Sequence, residues 1–361
     1  MENFIRPEAS STTRRVWLAA SALTVAAAFA AGIVDGQASA APGLEGAKAP
    51  YPPRAAKFNK PKIKHGVLIV EGTKANDKIA LRLEAGQPGI LQIDVGDDGS
   101  ANYSFDRSKI AKIAVNARSG DDAVRIDEGN GAFTDTIPTA IAGGAGNDTI
   151  AGGKGAETLL GGYGRDSIDG NGGNDLSRLG AGDDTFVWDP GDGSDTVEGQ
   201  NGTDTMLFNG ANVSEQVNLS ANGNRLKFFR TQGNVTMDTA GVERVNFNAL
   251  GGADVVTVND LTGTDVSRVD VDLTGALGGS GGDGQADRVI VNGTNGNDSI
   301  DVSGDAQLVK VSGLAATTEI LHSEIANDRL DVNTLAGTDT VGSAGLAAGA
   351  IQFFLDGVLA L

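Results

Sequence analysis

Seven carboxylates recur on a near-constant period: Asp148, Glu157, Asp166, Asp175 and Asp184 stand nine residues apart, and Asp195 and Asp204 follow. Two residues before each is a glycine, namely Gly146, Gly155, Gly164, Gly173, Gly182, Gly193 and Gly202. Glycine alone enters the φ > 0 region without a Cβ clash, so it lets a loop curl and turn its carbonyls toward a common centre. Carboxylates and carbonyls from flexible loops form an oxygen-only ligand set. The chain has no Cys, and its two histidines, His65 and His322, lie outside this stretch. Such donors suit Ca²⁺, whereas Mg²⁺ demands a tighter octahedron and keeps its waters.

The elements that must position these groups are very short. Two residues after each carboxylate come Ile150, Leu159, Ile168, Ser177, Phe186, Val197 and Met206, all apolar except Ser177. One inward side chain per nine residues cannot be buried by its own unit. Two repeats make one coil of two short strands and two loops, and successive coils stack about 4.8 Å apart as parallel strands. Repeat n then lies against repeat n+2. Asp148, Asp166 and Asp184 share one edge, and Glu157 and Asp175 the other. Two carboxylates about 5 Å apart repel by about 0.8 kcal/mol in water, and more in a desolvated groove, so the stack calls for a cation. Two extra residues within "FVWDPGDGSD" (186–195) enlarge one coil from eighteen residues to twenty, and the pairs 175/195 and 184/204 depend on how that bulge is absorbed.

The stretches "GGAGNDTIA", "GGKGAETLL", "GGYGRDSID", "GNGGNDLSR" and "LGAGDDTFV" (143–187) resemble the glycine-rich nonapeptide G-G-x-G-x-D-x-U-x of hemolysin-type calcium-binding repeats, the RTX family. The resemblance is strong over residues 143–207 and weaker in the flanks. It implies Ca²⁺ held between loops of neighbouring coils by the sixth-position carboxylate and loop carbonyls. By position, the best sites pair Asp148 with Asp166 and Asp166 with Asp184, completed by carbonyls of Gly144, Gly146, Gly162, Gly164 and Gly182. The opposite edge, with Glu157 and Asp175, is expected to bind more weakly or not at all. Glu157 is one methylene longer than Asp, Asn171 replaces the second glycine, and Ser177 replaces the apolar anchor.

The rest of the chain fits an exported, nearly all-β protein. Of its 361 residues 53 are Gly and only 5% are aromatic, which argues against a thick globular core. The formal charge of -19 makes nucleic acid an unsuitable partner and cations the natural counter-charge. Residues 1–40 read as a signal peptide: Arg14 and Arg15 precede an Ala-rich run, and Ala38–Ala40 suit cleavage after Ala40. Both the general and the twin-arginine routes fit, and Val16–Val34 has the length of an uncleaved anchor. With cleavage, no stable membrane span remains, and the protein is secreted or lies at the cell surface. Residues 41–66, Pro-rich and basic, read as a disordered linker. Short apolar runs broken by Gly, Asn and Asp then mark an N-terminal β region of degenerate coils (67–142), the repeat β-roll (143–207) and a degenerate C-terminal solenoid (208–361). The expected fold is an all-β, parallel β-roll or β-solenoid, and "GTKANDKIAL" from Gly72 echoes "GTNGNDSIDV" from Gly293. In both, a plain tight turn is the favoured reading.

Evidence for catalysis is thin. Two histidines cannot supply an H-E-x-x-H site, and Ser280 within "GGSGG" matches a nucleophile elbow only formally. No carboxylate pair stands out for glycoside hydrolysis. Trp188, Phe228, Phe229 and Phe247 are expected to fill the solenoid core in preference to lining a carbohydrate surface, and "IQFFLDGVLAL" to cover the last coil as a terminal strand. The reading is an exported, non-enzymatic Ca²⁺-binding module, structural, adhesive or interacting with a cell-envelope or extracellular polysaccharide or protein. The alternative is a Ca²⁺-dependent polysaccharide-processing enzyme with a β-helical catalytic face.

Overall fold

The computed structural model describes residues 58–360. The signal segment 1–40 and most of the linker lie outside the described residues. Two sheets, of fifteen and fourteen strands, face each other, and the chain crosses from one to the other along its length. Strands form where side chains alternate: in Thr185–Trp188, Phe186 and Trp188 are buried while Thr185 and Val187 are half-buried on the outer face. Through the repeats, the first sheet receives Thr139–Ala145, Thr158–Tyr163, Leu176–Ala181 and Thr196–Asn201. The second receives Thr149–Ala151, Ser167–Asp169, Thr185–Trp188 and Thr205–Asn209.

Neighbours within each of these stacks are parallel, with Leu159 opposite Ile141 and Ser177, and Ile168 opposite Ile150 and Phe186. This is the eighteen-residue coil. The next pairs are Ser177 with Val197 and Phe186 with Met206, so one coil has twenty residues without loss of register. The surplus is extruded as a turn after Trp188, whose Nε1–H donates to Gly193 O at 2.9 Å and ties the bulge back to the edge. All seven inward residues, Ile150 through Met206, are at most 1% exposed.

The stack continues through both flanks without a break at 142 or 207. It begins with Val67–Glu71 and Lys78–Glu84 and ends with Gln352–Leu355 and Thr340–Leu346. Antiparallel segments interrupt it. Gln87–Val95 and Tyr103–Asp106 cover the N-terminal end of one sheet, and Lys62–Lys64 pairs with Val67–Glu71 on the other. Among the described residues, β-structure therefore begins inside the stretch read as linker. Its alternating Lys62, Ile63 and Lys64 fold back through a turn with His65 at φ 50° and Gly66 at φ 79°. At the other end Val358–Leu359 folds back on Gln352–Leu355, the terminal strand expected of the tail.

Two antiparallel meanders lie inside the C-terminal half, where the expected fold is a parallel solenoid. Gln216–Asn222, Arg225–Arg230 and Val235–Ala240 run antiparallel to one another in one sheet, as do Ser299–Asp305, Leu308–Ser312 and Thr317–Leu321 in the other. The first has a usable hairpin signal, Asn222-Gly223-Asn224 between alternating apolar residues. A meander keeps the period-2 pattern of a coil, so its apolar stripe alone does not reveal it.

The core is one apolar stripe along the whole stack. Its widest part is aromatic: Trp188 stacks on Phe208 at 3.9 Å and 6°, with Phe228 and Phe247 4.4 and 6.0 Å from Phe208. All four are at most 1% exposed, so they fill the enlarged coil. Phe229 points outward instead, beneath the Lys227 ammonium. Ser177 is the misfit, fully buried with no hydrogen-bond partner for Oγ among the described residues. Because an unsatisfied buried hydroxyl costs about 1–3 kcal/mol, Ser177→Ala is expected to raise the melting temperature by a few degrees. A fall would show that the hydroxyl is bonded in solution.

Candidate metal centre

Each repeat carboxylate sits one residue ahead of a strand, where the parallel stack dictates its hydrogen bonds. Its carbonyl accepts from the residue opening the strand one coil on: Ser167 N–H to Asp148 O and Thr185 N–H to Asp166 O, both 2.8 Å. Except at Asp195, its own N–H donates to the next carboxylate. Asp148 N–H reaches Asp166 Oδ1 at 2.8 Å, Asp166 N–H reaches Asp184 Oδ1 at 2.7 Å, and Asp184 N–H reaches Asp204 Oδ1 at 2.9 Å. On the opposite edge Glu157 N–H reaches Asp175 Oδ1 at 2.7 Å and Asp175 N–H reaches Asp195 Oδ1 at 2.8 Å. One oxygen of each acceptor is thus committed to holding coils together.

The second oxygen is not. Oδ2 of Asp148, Asp166, Asp175, Asp184, Asp195 and Asp204, and Oε1 of Glu157, are buried without a hydrogen-bond partner among the described residues. Buried charge without compensation is costly, and its first response is to hold a proton. Burial pushes the Asp166 and Asp195 carboxyls up to about 7, Asp204 to about 6 and Glu157 to about 7. Asp148 and Asp184 are raised for the same reason. Asp175 rises furthest, to about 10, because burial is joined by repulsion from Asp195 and Glu157 on either side.

The glycines expected to supply carbonyls lie on the same edge as Asp148, Asp166 and Asp184. Gly146, Gly164 and Gly182 have φ of 129°, 122° and 142°, and a Cβ on Gly164 would stand 2.1 Å from Gly146 O. Gly144 and Gly162 close the strands Thr139–Ala145 and Thr158–Tyr163, stacked as closely, with Gly144 O 2.0 Å from where a Gly162 Cβ would be. The first glycine has another role. A Cβ on Gly161 would come within 2.5 Å of Asp166 Oδ2, so a bare backbone makes room for the unpaired oxygen. Among the described residues no three His, Cys, Asp or Glu side chains converge as a ligand cluster. An ion here would therefore take paired carboxylates together with main-chain oxygens. The unpaired oxygens and the hard-oxygen donor set fit Ca²⁺.

The opposite edge differs as its sequence suggests. The longer Glu157 curls back so that Oε2 accepts Gly153 N–H at 2.8 Å. Asn171 stands at φ 54°, where the second glycines of the first edge, Gly144 and Gly162, stand at 120° and 125°, and its amide donates to Gly152 O at 3.2 Å. Asp175 and Asp195 nevertheless keep their unpaired oxygens across the twenty-residue coil.

The same ladder runs beyond the repeats, which motif reading missed. Asp77 N–H donates to Asp122 Oδ1 at 2.6 Å and Asp122 N–H to Asp148 Oδ1 at 2.8 Å. Toward the C-terminus Glu215, Asp254, Asp287 and Asp328 form another row at 2.7, 2.8 and 3.1 Å, and Asp298 bonds Asp339 at 2.8 Å. Some of these carboxylates are closed by their own turn and others are not. In Asp77, Asp298 and Asp328, Oδ2 accepts the main-chain N–H four residues earlier, from Thr73, Thr294 and Glu324 at 2.5, 2.7 and 2.6 Å. Such turns are closed by the protein itself, as expected for "GTKANDKIAL" and "GTNGNDSIDV". In Asp122 and Asp254, Oδ2 has no partner among the described residues. Glu215 is neutralised by the buried guanidinium of Arg230. The available signal was an Asp directly preceding a strand, with Gly two residues before it in "SGDDAV" and "GGADVV".

A family model described as RTX calcium-binding nonapeptide repeat (4 copies) matches residues 140–162, 152–186 and 191–212. Residues 140–212 are RTX calcium-binding repeats, and Ca²⁺ is the ion such repeats bind. No curated protein matches the chain in sequence. Among solved structures, the crystal structure of extracellular lipase LipA from Serratia marcescens is similar at 13% identity with a TM-score of 0.15, covering 57% of this chain. This chain spans 43% of that one, and the agreement is too low to bear on fold or activity. No helix among the described residues is long and apolar enough to cross a membrane.

Proposed function

We propose that this calcium-binding repeat protein is exported and non-enzymatic, and that it works at or outside the cell surface as a structural, adhesive or interaction module whose central coils close on Ca²⁺. The carrying observation is the row of buried carboxylate oxygens without partners at Asp148, Asp166, Asp184 and Asp204. In this reading Asp148 with Asp166, and Asp166 with Asp184, hold ions together with carbonyls of Gly144, Gly146, Gly162, Gly164 and Gly182, while Asp175 with Asp195 serves the other edge. Glu157 is the weakest ligand, its longer side chain curling back within its own turn to Gly153. Export rests on the sequence of residues 1–40. The intended partner is a cell-envelope or extracellular polysaccharide or protein.

A non-enzymatic role is supported by how the outer faces spend their charge. Arg225 pairs with Glu198 and Asp238 at 2.8 and 2.6 Å, Arg268 with Asp270 and Glu319 at 2.6 and 2.8 Å, and Arg288 with Asp331 at 2.8 Å. All but the Arg268–Asp270 pair, which lies within one strand, join different strands, and the charges neutralise each other. Ser280 sits in an exposed loop, and His322 Nδ1 lies 2.9 Å from Asp272.

An ion at about 100 times its Kd adds about 2.7 kcal/mol per site, so a few sites move a melting temperature by tens of degrees. Circular dichroism melts of residues 41–361 at pH 7.5 are expected to rise steeply with Ca²⁺ and little with Mg²⁺. Asp166→Ala, which removes a carboxylate common to two sites, is expected to lose most of that rise. Equal stability in Ca²⁺ and in chelator would rule out calcium-driven closure.

A further inference from the structure

We propose that the row of calcium sites is one coil longer than the nonapeptide repeats, with a further site between the turn at 117–122 and the turn at 143–148, using the Asp122 and Asp148 carboxylates and the carbonyls of Arg118 and Gly120. This rests on the calcium reading of the repeats and extends it to residues outside the matched segment, which begins at residue 140.

The two turns meet as successive repeat turns do. Arg118 lies opposite Gly144 and Ser119 opposite Ala145. Gly120 N–H donates to Ala145 O at 2.8 Å, as Gly146 N–H does to Tyr163 O at 2.8 Å. Asp122 N–H donates to Asp148 Oδ1 at 2.8 Å, and Thr149 N–H to Asp122 O at 2.8 Å. Even the fifth position is reproduced: Asn147 N–H bonds Asp121 Oδ1 at 2.8 Å, as Arg165 N–H bonds Asn147 Oδ1 at 2.8 Å.

The carbonyl geometry matches too. Gly120 has φ 119°, close to the 129° of Gly146, and Arg118 has φ 83° where the next coil has Gly144 at 120°. A non-glycine residue at such φ is strained by about 1–3 kcal/mol and persists where the surroundings demand it. Arg118 O and Gly120 O would each stand 2.0 Å from a Cβ on Gly144 and Gly146, the spacing found between repeat coils.

The unpaired oxygen points to the ligand. Asp122 is 3% exposed, and its Oδ2 has no partner among the described residues. Arg118 does not compensate it, since the guanidinium reaches outward to Glu71 at 3.3 Å. The charged groups bearing on Asp122 are carboxylates, those of Asp148, Asp77 and Asp121. One coil earlier the row stops. Asp77 Oδ2 is taken by Thr73 N–H at 2.5 Å, so that turn needs no cation.

The test counts ions. Calcium bound per chain at saturation is measured by equilibrium dialysis with elemental analysis for the wild type, Asp122→Asn and Asp77→Asn. Asp122→Asn keeps the shape and the acceptor for its neighbour while removing the charge, and it is expected to bind one ion fewer. Asp77→Asn is expected to bind as many as the wild type. In the unaltered protein, amides 118–123 are expected to gain hydrogen-exchange protection over the same Ca²⁺ range as amides 144–149. An unchanged ion count in Asp122→Asn, or calcium-independent protection of 118–123 beside calcium-dependent protection of 144–149, overturns the proposal. A wild type that binds no Ca²⁺ overturns the reading of the repeats as well, which separates the two failures.

Discussion

The calcium-free protein is expected to be most stable at mildly acidic pH and to lose its central coils as the pH rises toward 8. Burial raises Asp122 and Asp204 to about 6, and Asp166, Asp195 and Glu157 to about 7. In the unfolded chain such groups titrate near 4. A carboxyl with a raised folded pKa contributes stability that is fully present below about pH 4 and is lost as pH climbs through the folded value. For a rise from about 4 to about 7 the loss is on the order of 4 kcal/mol per group, and a few such groups rival the whole stability of a domain. For these five groups the window is therefore pH 4–8, with the steepest loss between about 4.5 and 6, where all five still hold protons in the folded state only. Calcium reverses the sign, because its ligands must be deprotonated and its affinity grows with pH. Melts of metal-stripped protein at pH 5, 6.5 and 8, with and without Ca²⁺ at about 5 mM, above the Kd of about 10⁻⁴–10⁻³ M usual for extracellular modules, check this. Equal melting temperatures at pH 5 and 8 without calcium would refute it. Hydrogen exchange should place the loss in coils with unpaired oxygens and spare the turns closed by Thr73 and Thr294.

Gly164→Ala is expected to be far more damaging than Gly191→Ala. Both glycines have φ near 120°, 122° at Gly164 and 121° at Gly191, so both variants carry the backbone strain of an L-residue there, about 1–3 kcal/mol. Their surroundings differ. A Cβ on Gly164 would lie 2.1 Å from the Gly146 carbonyl oxygen, whereas one on Gly191 would meet nothing within 4 Å. A clash with main chain is relieved only by separating two coils, which also spoils the carbonyl geometry between Asp148 and Asp166. Gly164→Ala should therefore cost at least about 3 kcal/mol more than Gly191→Ala and abolish part of the calcium response. Similar melting temperatures for the two variants would show that close stacking of coils is not what glycine provides here.

Period and residue type were legible in the chain, and they determined the central architecture. A carboxylate, a glycine two places earlier and an apolar residue two places later specify the eighteen-residue coil, its inward side chains and the pairing of Asp148 with Asp166 and of Asp166 with Asp184. Those relations are local and repeat identically, so geometry adds nothing to them. Tertiary structure decided what depends on neighbours in space. Whether a carboxylate is open or closed turns on one main-chain N–H, from Thr73 at Asp77 but from no partner at Asp122, and both residues precede a strand in the same way. The turn at 117–122 was hidden because twenty-six residues, instead of eighteen, separate Arg118 from its partner Gly144, and an arginine fills the glycine position. The meander at 299–321 was hidden because antiparallel and parallel strands bury the same alternate residues, and the one at 216–240 is marked only by its Asn222-Gly223-Asn224 turn. Sequence period records which side chains face inward; only the folded stack shows which backbone groups meet, and the free oxygens that call for calcium are what that meeting leaves over.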